Sequence, residues 1–283
     1  MSARTQPIFL LMPQWQGSSA SRAMLLMDGA AHLRGDLPQS ASLEVPVPAH
    51  AGDALGTPIA RLSSLLATRN AARELLRERH EPPITLGGDC ASSLAGIERA
   101  IERDPGTVVL WFDAHPDLQH PSTSPSGAAS GMTLRHALGD GVPDLISTSP
   151  VAPEQVLIIG AREVDAEEHV TIEELGIHRH EVREANEQSD RISEWIERTR
   201  ATSVYVHIDL DVLDPAGFSS VHAPVPFGMD IGTLTQAIRA AVALVPLAGA
   251  AICEFAPADS AMADEDAPTV LRILAALTSG GAR

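Results

Sequence analysis

Short apolar runs alternate along the chain with longer amphipathic stretches. The runs predict strands over residues 7–12, 83–86, 107–112, 155–159, 203–208 and 249–255. Between them, apolar residues recur at helical spacing over 21–33, 62–78, 92–103, 191–200, 231–245 and 267–277. Strands alternating with helices imply βαβ units, a mostly parallel sheet and helices on both of its faces. The expected class is therefore α/β, a three-layer α/β/α domain. The runs VVLWF and VYVHI are apolar at every position or nearly so, which places them at the buried centre of the sheet.

Residues 116–131 read PDLQHPSTSPSGAASG, a long loop of a kind that is usually functional or disordered. It begins directly after an acidic cluster, which favours function. A second Pro-rich connection covers residues 36–58. No internal repeat or dividing linker is evident, so the 283 residues are read as one domain, 1–283.

Composition narrows this picture. Apolar residues make up 44% and aromatic residues 3%, so the core must be built of Ala, Val, Leu and Ile. The net charge of -17 repels phosphate backbones and excludes nucleic acid as a partner. It serves solubility or salt adaptation, or steers a cationic substrate inward. Two cysteines are too few for a disulfide scaffold and fit a reducing compartment. Residues 1–20 lack the basic and apolar regions of a signal peptide, and no window is apolar enough to span a membrane. The expected location is the cytoplasm.

The chemistry gathers at predicted strand ends. Asp113-Ala-His115-Pro-Asp117 follows VVLWF, and Asp209-Leu-Asp211-Val-Leu-Asp214-Pro215 follows VYVHI. Alternate residues of an extended chain point the same way, so Asp113 converges with His115 and Asp209 with Asp211. Carboxylates packed this closely take up protons or bind a cation. Strand C-termini are where open α/β sheets place ligands. Four or five carboxylates with an imidazole suit a dinuclear site for a fairly hard divalent metal. Asp214, beside Pro215, is equally a turn former. Gly87-Gly88-Asp89-Cys90 lies between a strand and a helix; Asp89 is placed to cap that helix. Cys90 is either a thiolate near the helix N-terminus, able to ligate metal, or a small buried side chain. Glu254, ending another apolar strand, is a site residue or an edge residue.

Together, GGDC, DAHPD, DLDVLDP and EFAP resemble the ordered motifs of the arginase/agmatinase (ureohydrolase) family, over residues 83–257 at least. The resemblance implies one parallel-sheet α/β fold and two manganese ions bridged by hydroxide. It implies Asp113 and Asp209 as bridging ligands and His115 and Asp211 as ligands of one ion. Cys90 and Asp117 then belong to the other, Asp117 also bonding the hydroxide. Glu254 would hold the substrate's guanidinium. The stretch from Gly160 to Glu168 resembles the segment with which arginases read an α-amino group, through Asp165 and Glu168 here; a solvated helix start is the alternative. Gln119 and Ser126 fall where arginases hold the α-carboxylate, Gln119 replacing the usual Asn.

Two departures stand out. Cys90 replaces the family's His in the GGDH turn, which would soften that metal position toward zinc, iron or cobalt, or weaken its occupancy. Ser130 replaces the loop His that shuttles a proton to the leaving amine, and a hydroxyl has no pKa near neutrality. His120, His136 or His222 could supply that proton. The expected activity is metal-dependent hydrolysis of a small guanidino amino acid, arginine or N-hydroxy-arginine, giving ornithine with urea or hydroxyurea. The weaker basicity of an N-hydroxyguanidine eases the proton requirement. An agmatinase, a formiminoglutamate hydrolase or a metal-poor non-catalytic relative are the alternatives. Family members are often homo-oligomers.

Overall fold

In the computed structural model, which describes residues 6–187 and 190–281, every strand of the sheet runs in the same direction. The elements follow in the order β1 (Ile8–Leu11), α1 (Leu25–Leu33), β2 (Ser42–Glu44), α2 (Leu62–Leu76), β3 (Pro83–Leu86), α3 (Leu94–Arg103), β4 (Thr107–Phe112) and α4 (Thr133–Ala137). They continue with β5 (Val156–Ile159), α5 (Ala166–Leu175), β6 (His178–His180), α6 (Val182–Glu187), α7 (Asp190–Thr199), β7 (Ser203–Asp209), α8 (Ile231–Leu244), β8 (Leu247–Cys253) and α9 (Ser260–Thr278). Among the described residues these strands make one eight-stranded sheet in the order β2-β1-β3-β8-β7-β4-β5-β6.

The alternation of side chains along a strand builds the three layers. From β4, Val108, Leu110 and Phe112 enter one core with Trp195 and Ile196 of α7, Ile238 of α8 and Val270 of α9. Val109 and Trp111 enter the opposite core with Leu65 of α2, Ile97 of α3 and Leu134 of α4. Six consecutive residues of β4 and seven of β7 are buried, as their unbroken apolar runs predict.

The differences from the sequence pattern have local causes. β2 (Ser-Leu-Glu) and β6 (His-Arg-His) were not predicted, because the edges of the sheet need no apolar run. α5 buries only Glu168 and Ile172 and so shows no apolar stripe. α9 starts at Ser260 rather than 267, because Asp259 caps it by accepting Met262 N–H at 2.9 Å. α1 begins at Leu25 rather than 21, and Cys90–Ser93 form a 3-10 turn ahead of α3.

The consequence for function is positional. β3, β8, β7 and β4 are neighbours in a parallel sheet, so the four chemical motifs leave it along one edge.

Candidate active site

Asp113 is the first residue beyond β4, and it is fully buried. Its carboxylate accepts the His115 N–H at 2.7 Å and the Trp111 indole N–H at 3.2 Å. His115 Nδ1 stands 3.0 Å from Asp211 Oδ2 and 3.5 Å from Asp113 Oδ1. Across from them, Asp209 Oδ1 accepts the Asp211 N–H at 2.8 Å, and the Cys90 thiol donates to Asp209 Oδ2 at 2.9 Å. The spacing of the motifs therefore does bring the carboxylates and the imidazole together.

Burial and mutual repulsion govern their charge. Burial pushes the Asp209 and Asp117 carboxyls well above the usual range, and the neighbouring carboxylates push them further. Burial would lower His115, but Asp113 and Asp211 raise it to about 12. Burial also raises Asp113, yet His115 and His207 together bring it down to about 2. A divalent ion among these groups would take over the proton's role.

The ligand atoms of Asp113, His115 and Asp211 lie within 4.8 Å of one another, and so do those of Cys90, Asp113, Asp117 and His207. Asp117 Oδ2 is buried with no hydrogen-bond partner among the described residues. Asp117 has a φ of 51° and Glu254 a φ of 62°, a left-handed conformation that costs a non-glycine residue about 1–3 kcal/mol. Both strained residues face the same cleft. Gly88, at φ 88°, holds Glu254 by accepting its N–H at 2.9 Å, and a Cβ on Gly88 would meet Met12 O at 2.6 Å.

The cleft has a volume of ≈ 290 Å³. Cys90, His115, Asp117, Asp209 and Asp211 form its floor, and Gln119, Ser126, Ser130, Glu168, His222 and Glu254 its walls. The loop of residues 116–131 thus contributes Asp117, Gln119, Ser126, Ala128, Ser130 and Gly131 to the cleft lining. Glu254 Oε2 is 3.3 Å from His222 Nδ1, and burial raises the Glu254 carboxyl to about 7 despite that contact. Glu168 is buried rather than solvated: its Oε1 accepts the Leu118 N–H at 3.0 Å, and burial lifts its pKa to about 7. Asp165 caps α5, accepting the Glu168 N–H at 2.8 Å, and sits beyond the cleft lining, where the Gln119 amide donates to it at 3.3 Å.

Of the three alternative proton sources, the structure brings only His222 to the cleft. His136 is fully buried in α4, with Nδ1 2.7 Å from Met132 O and burial lowering its pKa to about 4. The His120 ring is 2.7 Å from the Ser122 hydroxyl, outside the cleft lining. Asp214 is a turn former, accepting the N–H groups of Ala216 and Gly228 at 2.9 Å each. Asp89 caps the turn at Cys90 through the Ala91 N–H, 3.0 Å away.

Sequence reasoning missed His207 and Cys253, which look like ordinary core positions of apolar strands. His207 lies within β7, stacked on Trp111 with ring centroids 3.5 Å apart and planes 8° from parallel. A histidine inside an otherwise apolar central strand was the available signal. Arg162 was missed as a scaffold. Its guanidinium donates to the carbonyls of Asp211, Val225 and Pro226 at 2.8, 2.6 and 3.0 Å, fastening the loop after β5 to the segment carrying His222.

A model of the Arginase family matches residues 16–278. The chain belongs to the arginase family. It is accordingly an amidinohydrolase. It is 31% identical over 271 residues to the N(omega)-hydroxy-L-arginine amidinohydrolase of Streptomyces lavendulae, an alignment covering 92% of this chain and 94% of that one. It is 36% identical over 172 residues to the arginase of Bacillus caldovelox, covering 56% of each chain. The fold of this arginase-family enzyme matches the Entamoeba histolytica arginase solved with L-ornithine at a TM-score of 0.85, with 21% identity over 97% of this chain and 98% of that one. No described helix is long and apolar enough to cross a membrane.

Proposed function

We propose that this enzyme hydrolyses the guanidino group of an α-amino acid, arginine or N-hydroxy-arginine, and that N-hydroxy-arginine is the better substrate. Ornithine and urea or hydroxyurea are the products. The observation that carries the reading is the layout of the cleft. One cavity joins an acidic floor to Glu254, to Glu168 and to the polar side chains of Gln119 and Ser126.

The floor fits a pair of divalent ions, because it offers carboxylates, an imidazole and a thiol while Asp117 Oδ2 lacks a hydrogen-bond partner among the described residues. His115, Asp211, Asp113, Asp209, Cys90 and Asp117 are the residues that would hold them. Manganese, the metal typical of the family, is the ion we expect, altered at the Cys90 position. Bound there, such ions lower the pKa of water and take up developing negative charge.

The protein's own groups do the rest. Glu254 receives the guanidinium, whose charge draws its raised carboxyl back to the ionised form. Glu168, seconded by Asp165, receives the α-ammonium, and Gln119 and Ser126 receive the α-carboxylate. Ser130 lines the cleft but cannot protonate a leaving amine at neutral pH. His222 is the imidazole placed to do so. An N-hydroxyguanidine makes the smaller demand on it, and a Streptomyces relative aligned along nearly the whole chain is named for that substrate.

Arginine, N-hydroxy-arginine, agmatine and formiminoglutamate assayed side by side with manganese test the proposal. Turnover of N-hydroxy-arginine above arginine is expected. Failure on all four overturns the reading, and preference for agmatine or formiminoglutamate overturns the substrate.

A further inference from the structure

Cys90, His207 and Cys253 form a second kind of cluster, directly behind the carboxylates. Their ligand atoms all lie within 4.8 Å of one another, and all three residues are buried. They come from the turn after β3, from β7 and from the last position of β8, three strands adjacent in the sheet. Two thiols and an imidazole are a soft donor set, poorly suited to manganese and well suited to zinc.

Independent observations point to an ion rather than to simple packing. His207 Nε2 is fully buried with no hydrogen-bond partner among the described residues. Its other nitrogen, Nδ1, is fixed 2.7 Å from Ser93 Oγ, and the ring is clamped by Trp111. Ligand imidazoles are oriented in this way, with one nitrogen bonded to the protein and the other left for the metal. The next oxygen outward is Asp113 Oδ2, 3.7 Å from His207 Nε2, while Asp113 Oδ1 faces His115. The hydroxyls of Ser92 and Ser93 lie 3.5 and 3.6 Å from Cys253 Sγ, where they can support a thiolate.

We propose that Cys90, Cys253 and His207, with a carboxylate oxygen of Asp113, form a zinc-selective site at the inner end of the cleft. This is the inner member of the ion pair proposed above, with Asp117 within reach of Cys90 and His207 and Asp209 bonded to Cys90, while His115 and Asp211 remain the harder ligands of the outer position. Asp113 then faces both ions with opposite oxygens. The two thiols give up their protons as zinc binds. The assignment does not depend on the substrate.

Metal-free protein loaded with one equivalent of zinc tests it by X-ray absorption. Two sulfur scatterers at about 2.3 Å are expected. One sulfur, or only oxygen and nitrogen, overturns the site. The His115→Ala protein should keep the sulfur signal, since it alters only the outer position. Dialysis against equal zinc and manganese should leave zinc on the sulfur site, and retention of manganese alone overturns the selectivity. Cobalt provides a further readout, a thiolate-to-cobalt charge-transfer band that weakens in Cys253→Ala. Zinc affinity in that variant should fall by more than the roughly 10–100-fold that loss of a ligand's supporting partner costs. An unchanged spectrum and affinity mean that Cys253 merely packs. Sulfur-bound zinc in a protein that turns over no guanidino substrate leaves this site standing and removes the proposed activity. Turnover with manganese and no sulfur-bound metal does the reverse.

Discussion

His222 Nδ1 lies 3.3 Å from Glu254 Oε2, and both residues line the cleft whose floor carries Asp209 and Asp211. On the proposed reading, this imidazole stands beside the carboxylate that receives the guanidinium and passes a proton to the leaving amine. His222→Ala should lower kcat on arginine by about 10²-fold or more, with a smaller change in KM. The loss on N-hydroxy-arginine should be smaller, because its leaving group needs the proton less. Steady-state kinetics on both substrates checks this, and an unchanged kcat removes His222 from the reaction.

Restoring the two departing residues should move the specificity. Ser130→His adds an imidazole to the cleft lining and should raise arginine turnover relative to N-hydroxy-arginine, on the order of tenfold or more. Cys90→His should bind manganese more tightly, since imidazole is the harder donor. Metal analysis after dialysis reads the second effect, and an unchanged manganese content means that Cys90 is no ligand.

Glu168 gives a pH dependence whose sign follows from burial. Its carboxyl, raised to about 7, is neutral below that pH and ionised above it. KM for an α-amino acid substrate should therefore fall as pH rises through 7. Glu168→Gln should flatten that limb and raise KM about tenfold, the scale of one charge-assisted hydrogen bond. KM profiles of the two proteins decide, and a limb that persists in the variant assigns the titration elsewhere.

A structural prediction concerns Glu98, remote from the cleft. It is buried, accepts Arg69 Nη2 at 3.2 Å, Arg73 Nε at 2.5 Å and the Thr148 hydroxyl at 2.6 Å, and so ties α2 to α3. Burial raises its carboxyl, but the bonds from Arg73 and Thr148 and the charge of Arg69 outweigh burial and bring it to about 2, from an ordinary 4.5. The stabilisation is thus complete above 4.5 and lost as pH falls toward 2. Glu98→Gln leaves buried Arg69 without its counter-charge and should cost about 3–5 kcal/mol. Urea titrations at pH 7 and pH 3 check both points: the gap between wild type and variant should narrow at the lower pH.

Much of the floor was legible because its residues are close in sequence. Alternation along an extended chain sets Asp113 beside His115 and Asp209 beside Asp211, and strand-end placement needs only the apolar runs before them. What escaped was whatever depends on strand order. His207 meets Asp113 only because β7 lies next to β4, and Cys253 meets Cys90 only because β8 lies next to β3. A Ser-Leu-Glu edge strand and a Glu-rich helix also escaped, because their partners rather than their patterns hold them. Glu168 illustrates the limit: its sequence neighbours leave a solvated helix start open beside a substrate contact, and in the fold it is buried and bonded by the Leu118 N–H.

The placement of β8 has a consequence for how the enzyme comes into being. β8 is the last of the described strands in chain order, yet it lies between β3 and β7, near the middle of the sheet. A nascent chain that stops short of Leu247 leaves two open edges facing each other across the gap that β8 will fill. Glu254 and Cys253 arrive with that same strand, so the sheet and the cleft are completed in a single late event. A truncated or stalled product carries the motifs of the first three strand ends without a site to put them in, and its exposed inner edges mark it for pairing with other chains or for proteolysis.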